Sequence, residues 1–514
     1  MTASWFNVAQ AFRNVVDHYA DRKALAFDEN QAMTYRQLDL LSNQAAHFMR
    51  YRGVRKGDRI ALSLEKCPSA YALILAALKI GAIYVALDPR NPAARRKSIL
   101  AQCTPTLIFS EHPLDDGDLQ AASVLCPEKL ELPAFCRAFS EAAISEDNQC
   151  TGSDPAYIMF TSGSTGAPKG AVISHDNLLH FIGWAQNQYG FTPNDIHTHL
   201  NPLYFDNSVF DIYSTLFTGG MLVPFDSGTL QNPTELVARL KAMRCTVWFS
   251  VPSLLIYLQV MKAATRANLG SLRRIIFGGE GFPKPKLKQL FDELGAQAEL
   301  HNVYGPTECT CICSSYQLSA DDFLDVDGLP PLGVLNQHFT QHILDGNLSV
   351  PDGEVGELCL GGCCVGLGYY NSPGLNATAF IQNPSNGAFR EIIYRTGDLV
   401  RLDPRDRKLH FIGRRDLQIK HMGYRIELEE IQHALIRLDG IDEVIALHKQ
   451  SSGISEIIAI AATSLPLKER DLRGQLSKYL PHYMIPSKIH VIAQMPKTPN
   501  GKTDRQKLVC IYAT

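Results

Sequence analysis

The sequence predicts an α/β fold of layered, largely parallel sheets, and three observations carry the prediction. Helix-like and strand-like patterns alternate up to about residue 410. The theme then repeats, with TVWFSVP reading as a strand and RRIIFGGE as a strand running into a glycine turn. The chain is also long and apolar enough: 514 residues, 45% hydrophobic and 20% charged, suggest about three packing units with ample core. That composition excludes a disordered, collagen-like or small stapled chain.

The elements follow in order. MTASWFNVAQAFRNVV lacks a basic start followed by an apolar core, so no signal peptide is expected. Thr34 is placed to cap a helix whose apolar positions Leu38, Leu41, Ala45, Phe48 and Met49 keep helical spacing. Gly57-Asp58 turns the chain into IALSL, where Ile60, Leu62 and Leu64 alternate as in a strand. Tyr71 to Leu87 is the most apolar stretch. Lys79 and Gly81 interrupt it and Asp88-Pro89 ends it, so it reads as a buried helix and strand rather than a membrane span. Arg95, Arg96 and Lys97 read as a solvated helix face.

From Val350 to Phe411, short apolar runs such as GELCLGG and KLHFIG are split by Gly, Pro, Asp and Asn, which predicts a smaller β-rich subdomain. A charged stretch, RRDLQIK, follows Gly413, and helix–strand alternation resumes to the end. Two domains are expected, a large one over 1–413 and a small α+β one over 414–514.

A net charge of -3 leaves no electrostatic footprint for nucleic acid or an anionic membrane, and neither is expected as a partner. Thirteen cysteines with no CxxC pair predict reduced, mostly buried thiols in a cytoplasmic protein. Cys309, Cys311 and Cys313 alternate as on one face of a strand. No second ligand pair stands at a zinc spacing, so these thiols read as buried rather than metal-bound.

The most informative segment is YIMFTSGSTGAPKGAVISHDNL, residues 157–178. An apolar strand leads into Thr161, Ser162, Gly163, Ser164, Thr165 and Gly166, then Lys169 and a second apolar strand. Small residues let backbone N–H groups converge, hydroxyls add donors and Lys169 adds positive charge, a combination suited to phosphate oxygens. The loop is not a Walker A motif, because Gly163 has Pro168 five residues on and Gly170 follows Lys169. A flexible linker is the bland alternative for so Ser/Gly-rich a stretch. The two flanking apolar strands argue against it.

On these residues the chain resembles the adenylate-forming enzymes, and within them the amino-acid adenylation domains of nonribosomal peptide synthetase type. Further motifs stand in the family's order along nearly the whole chain: NPLYFDNSVFD (201–211), FGGEGFP (277–283), NVYGPTEC (302–309), GELCLGG (356–362), YRTGDLVR (394–401), GRRDLQIKHMGYRIELEEI (413–431) and PKTPNGKTDR (496–505). The resemblance implies the ANL fold: a large N-terminal domain of layered α/β sheets with a β-rich subdomain, and a small mobile α+β C-terminal domain.

It also implies ATP and Mg²⁺, with the roles falling on matching positions. The 161–166 loop and Lys169 would hold phosphates, Gly279 and Glu280 would line the adenine edge, and Tyr304 would lay its ring on the adenine. Thr307 would hydrogen-bond phosphate, and Glu308 would hold Mg²⁺, because hard cations prefer carboxylates. Asp398 would accept from both ribose hydroxyls, with Arg414 near the ribose and phosphates. Lys502 is implied as the catalytic cation that contacts the substrate carboxylate and α-phosphate, where oxygens of like charge must approach. Taken singly, each of these could be a turn residue or a solvated lysine.

Asp206, directly after Phe205, is implied to pair with a substrate ammonium; capping of the helix in VFDIYSTLF is the alternative. The rest of the pocket wall, carried over, is Asn207, Phe210, Phe249, Ile276, Gly278, Val303, Cys311 and Ile312. It is uncharged and mostly apolar, which points to a small or branched neutral aliphatic amino acid. After adenylation the small domain would swing about Asp416, withdrawing Lys502 and turning the loop of Gly423 toward the site to admit a thiol. Gly423 could equally be a plain turn glycine.

Twelve residues follow Lys502, and neither a GGDS-like attachment serine nor an HHxxxDG motif is present. A stand-alone ligase that loads the phosphopantetheine of a separate carrier protein is therefore expected. It is similar to D-alanine–carrier protein ligases and to the stand-alone adenylation enzymes of natural-product pathways. The alternative is an acyl- or aryl-CoA ligase, which Asp206 argues against because a buried carboxylate without a cation is costly. A catalytically idle nucleotide-binding protein is a further alternative, and the intact Lys502, Glu308 and Asp398 argue against it.

Overall fold

The computed structural model describes residues 6–112, 123–125, 134–144, 149–163, 165–451, 454–498 and 503–513. Ser164 and Lys502 lie outside the described residues. Two compact units emerge. The first gathers Met1–Pro89, Cys103–Met159 and Gly170–Arg415, and the second Arg90–Gln102, Phe160–Lys169 and Asp416–Thr514.

In the first unit, local chemistry sets the helices. Thr34 Oγ1 accepts the Gln37 amide at 3.2 Å and the Gln37 side chain accepts the Thr34 amide at 2.8 Å, which starts the helix Tyr35–Tyr51. Pro68 opens the helix Pro68–Ile80, and Gly81, at φ +69°, ends it before the strand Ile83–Ala86. All of that helix is buried, Lys79 included. Its ammonium donates to Asp39 Oδ1 at 2.6 Å, Ser42 Oγ at 2.6 Å and Asn43 Oδ1 at 2.7 Å. A lysine can therefore interrupt the most apolar stretch without leaving a buried charge unsatisfied.

Three sheets build this unit among the described residues. The first has nine strands, in spatial order Val334–Leu335, Ser314–Gln317, Glu299–Tyr304, Arg274–Gly278, Val247–Ser250, Ile196–His199, Met221–Pro224, Lys23–Ala26 and Ala32–Thr34. Its centre is parallel and its edges are antiparallel. The second, of seven strands, has a parallel core of Pro155–Thr161, Ile83–Ala86, Arg59–Ser63, Leu107–Ser110 and Ser123–Leu125. The third is the antiparallel, β-rich part, where Val355–Gly362 lies between Phe339–Asp345 and Ile392–Leu402.

One strand expectation fails here. Cys309, Cys311 and Cys313 do not share a strand: Thr307–Cys309 is a single 3₁₀ turn, Thr310 and Cys311 take left-handed φ of 56° and 74°, and a strand resumes only at Ser314. The chain must reverse between the antiparallel strands Glu299–Tyr304 and Ser314–Gln317, and Cys313 closes that loop by donating to Tyr304 O at 2.8 Å.

The second unit holds the hairpin Gln418–His421 and Tyr424–Glu427, the helices Leu428–Ile436 and Glu469–Leu476, and a sheet of Glu443–Ser451, Ile454–Ala462 and Lys488–Ile492. Ile426, Leu435, Ala459, Leu472 and Met484 form its core. Arg95 corrects another expectation. It is 8% exposed and ion-paired with the buried Glu430; of the three basic residues on the helix Ala93–Cys103, Arg96 is half-buried and Lys97 exposed. Burying both partners together avoids leaving either charge uncompensated. Among the described residues, no helix is long and apolar enough to cross a membrane.

Candidate active site

The helix Asn207–Leu216 and the parallel strands Val247–Ser250, Arg274–Gly278 and Glu299–Tyr304 bring the expected pocket wall together. Phe210, Phe249, Ile276, Val303, Cys311 and Ile312 are all buried in one apolar cluster. The rings of Phe210 and Phe249 lie 4.7 Å apart. Gly278 stands in register with Val303, and a Cβ added there would come 2.3 Å from Val303 O. Gly278→Ala is accordingly expected to lose about 1–3 kcal/mol of stability in urea denaturation. An unchanged midpoint would refute that close approach.

Asp206 precedes the helix with φ -61° and ψ -25°, and its side chain makes no capping hydrogen bond. The side chain therefore does not cap this helix, and the carboxylate is partly exposed. Its charge is felt by the wall. Burial first, and then Asp206, push the Cys311 thiol well above its usual range, so Cys311 is a neutral wall residue and not a nucleophile.

Two features escaped the sequence. Tyr157 is fully buried and its hydroxyl has no hydrogen-bond partner; burial first, and then Tyr84 and Asp206, push its phenol well up. Tyr157 opens the 157–178 segment, but there it reads only as part of the apolar strand leading into the loop. Beneath Asn207 runs a buried polar chain: Asn207 Nδ2 donates to Asn201 Oδ1 at 3.5 Å, and Asn201 Nδ2 to Asp211 Oδ2 at 2.8 Å. Burial pulls Lys66 down to about 7, with Asp211 opposing, while its ammonium donates to His199 O at 2.8 Å and Leu200 O at 3.0 Å. Asn201 and Asp211 lie within a recognised motif and His199 stands two residues before it, but Lys66 comes from a distant segment that nothing local connects to it.

The residues expected to meet a nucleotide form a second group. Tyr304 Oη donates to Asp398 Oδ2 at 2.5 Å, and Arg414 Nη1 donates to Asp398 Oδ1 at 2.5 Å across paired strands. Burial, then the Asp398 charge, push the Tyr304 phenol well up, so it stays a donor. Each Asp398 oxygen keeps further acceptor capacity for hydroxyl donors. Glu308 is 0% exposed, and its Oε1 accepts Tyr369 Oη at 2.6 Å. Thr307 is buried beside it. Gly279, at φ +89°, makes the turn that follows its strand, and Glu280 Oε1 accepts the Ser253 amide at 2.7 Å.

The loop of residues 160–169 belongs to the second unit. A Cβ at Gly163 would meet Ala167 O at 2.1 Å, and Gly166 has φ +81°, so both positions need glycine. Thr161 Oγ1 lies 3.5 Å from Lys169 O, and Thr165 is exposed. Ser162 Oγ donates to Arg425 O at 2.7 Å and accepts the Glu427 amide at 3.2 Å. Lys169 Nζ is 3.6 Å from Glu427 Oε1, and the Gly163 amide serves Glu430. The loop's cation and one of its amides thus meet carboxylates, as an anion cradle would. Asp416 accepts the Gln418 amide at 3.2 Å, and Gly423, at φ +82°, sits in the turn of the Gln418–Glu427 hairpin.

The AMP-binding enzyme family model matches residues 12–370, and the model of the AMP-binding enzyme C-terminal domain matches 430–502. Over 529 residues the chain is 32% identical to an L-proline–[L-prolyl-carrier protein] ligase of Streptomyces coelicolor, spanning 99% of this chain and 97% of that one. It is 34% identical over 492 residues to bacitracin synthase 1 of Bacillus licheniformis, spanning 95% of this chain but 9% of that far longer protein. An artificially fused adenylation–PCP di-domain from Klebsiella oxytoca superposes with a TM-score of 0.81 at 23% identity, covering 95% and 94% of the two chains. A double mutant of o-succinylbenzoate CoA synthetase from Bacillus subtilis gives 0.84 at 20%, covering 98% of each. Because the second forms a CoA thioester by its name, the shared fold does not choose between thiols.

Proposed function

The chain belongs to the AMP-binding enzyme family of adenylate-forming ligases, and on that premise we propose that it activates an amino acid for a carrier protein. A carboxylate oxygen of a small or branched neutral aliphatic amino acid attacks the α-phosphorus of ATP, and the bond to pyrophosphate breaks. The phosphopantetheine thiol of a separate carrier protein then attacks the acyl carbon as a thiolate, and AMP leaves. The observation that supports this reading is Asp206, a partly exposed carboxylate beside an otherwise uncharged wall and close enough to help raise the buried Cys311 thiol. A substrate ammonium would complement that charge.

Other residues take supporting roles. Asp398, fixed by Tyr304 and Arg414, would receive ribose hydroxyls, and the 161–166 loop with Lys169 would hold phosphates. Glu308 is a buried carboxylate oriented by Tyr369, a donor set that suits a hard cation. Mg²⁺ there would neutralise phosphate charge. The Streptomyces relative is named for L-proline and a carrier protein, which supports a neutral aliphatic substrate and that class of acceptor.

The test is ATP–pyrophosphate exchange across the proteinogenic amino acids, D-alanine, β-amino acids, and acetate, fatty and aryl acids, followed by thioester formation on carrier proteins and on free CoA. Exchange with one small or branched neutral amino acid, and loading of a carrier, is expected. Exchange confined to acids without an amino group, with CoA as acceptor, would overturn the proposal in favour of a CoA ligase.

A further inference from the structure

Away from the candidate site, three potential metal ligands from distant segments converge. His180 lies on the helix His175–Tyr189, His338 in the turn before the strand Phe339–Asp345, and Cys363 just past the strand Val355–Gly362. One donor atom from each lies within 4.8 Å of the others. Cys363 Sγ is 3.6 Å from His338 Nδ1, and the two imidazole rings are 4.9 Å apart. With Zn–S about 2.3 Å and Zn–N about 2.0–2.1 Å, the sulfur–nitrogen edge of a tetrahedral zinc site is about 3.6 Å. The Cys363–His338 edge is already at that length.

The backbone is arranged to hold this cluster. Gly362 pairs with Phe339 and has φ +117°, and a Cβ there would come 2.2 Å from His338 O, so a glycine is what lets Cys363 approach His338. Asn177, one helical turn before His180, donates to Cys363 O at 2.6 Å and Val365 O at 3.2 Å. Cys363 Sγ also lies 3.8 Å from His338 O. Cys363 is one of the two exposed cysteines among the described residues.

We propose that His180, His338 and Cys363 form a Zn²⁺ site with its fourth position open to solvent. The metal would act as a brace. The segment after Cys363 reaches the candidate site, where Gly366 donates its amide to Glu308 O at 2.8 Å and Thr310 Oγ1 donates to Cys364 O at 2.8 Å. Pinning Cys363 would therefore stiffen the support of the Glu308 loop. The site does not depend on which acid the enzyme activates.

The test is a titration of the chelator-stripped, reduced full chain with Co²⁺, followed by displacement with Zn²⁺ and counting of bound zinc by elemental analysis. A sulfur-to-cobalt charge-transfer band that saturates at one ion per chain, and a rise in melting temperature with Zn²⁺, are expected. That band requires a thiolate ligand, so Mg²⁺-type oxygen sites cannot produce it. Cys363→Ser should abolish it, and His338→Ala should weaken affinity by about tenfold or more. Cys510→Ser, at the other exposed cysteine, should leave it intact. Absence of a saturable band, or a band that survives Cys363→Ser, would overturn the proposal.

Discussion

Replacing Lys502 with alanine is expected to lower amino-acid-dependent pyrophosphate exchange by about 10²–10³-fold, the usual loss when one preorganised charge-stabilising donor is removed. The chemistry sets the size of the effect. A carboxylate attacks a phosphorus already ringed by anionic oxygens, and charge on the bridging and non-bridging oxygens must be met at the transition state rather than before it. A fixed ammonium does this, and water in the space left by alanine must reorganise to do it. Fold and ATP affinity should persist, and melting temperature and ATP binding are the controls. The discriminating readout is the second half-reaction: supplied with preformed aminoacyl-AMP, the variant should still load a carrier. Exchange within a fewfold of the parent would remove Lys502 from the mechanism. Equal loss in both half-reactions would make its role structural.

The parts of this molecule that sequence made legible are those whose cause is local. The capping pair Thr34 and Gln37 and the Pro68 to Gly81 helix are each specified within a few residues, and both form. The strands in IALSL, TVWFSVP and RRIIFGGE form for the same reason. What sequence misjudged depends on distant partners. Arg95 reads as solvated until Glu430, far along the chain, is placed against it. Cys309 to Cys313 alternate like a strand, but the need to reverse between two antiparallel strands overrides that pattern. The candidate pocket divides in the same way: its wall follows family motifs, whereas Lys66 reaches the backbone of His199 and Leu200 only through tertiary packing. The His180, His338 and Cys363 cluster has no spacing signature at all, since helix, turn and strand end each supply one ligand.

Asp206→Ala carries the other large expected effect, and it separates recognition of an amino acid from every other function of the site. Truncating one partner of a desolvated charge pair costs about 2–5 kcal/mol, because the remaining charge is left unpaired. For the preferred amino acid that is a fall of about 30- to several-thousand-fold in kcat/KM, carried mostly by KM. The remaining charge in this case sits on the substrate, so the loss should vanish when the substrate has none. The same pocket offered the corresponding acid without its amino group, such as propionate or isobutyrate, should show exchange by Asp206→Ala no weaker than by the parent. An improvement is expected, since the parent must desolvate an unmatched carboxylate to bind such an acid. Asp206→Asn sharpens the comparison by keeping volume and polarity while removing the charge. It should resemble alanine toward the amino acid. Asp206 makes no capping bond, so neither variant removes a helix cap, and the melting temperatures of both are measured as the control. ATP binding should be unchanged in both. If amino acid and des-amino acid lose activity in equal proportion, Asp206 supports the loop rather than the ammonium. The substrate would then have to be sought among acids that carry no amino group.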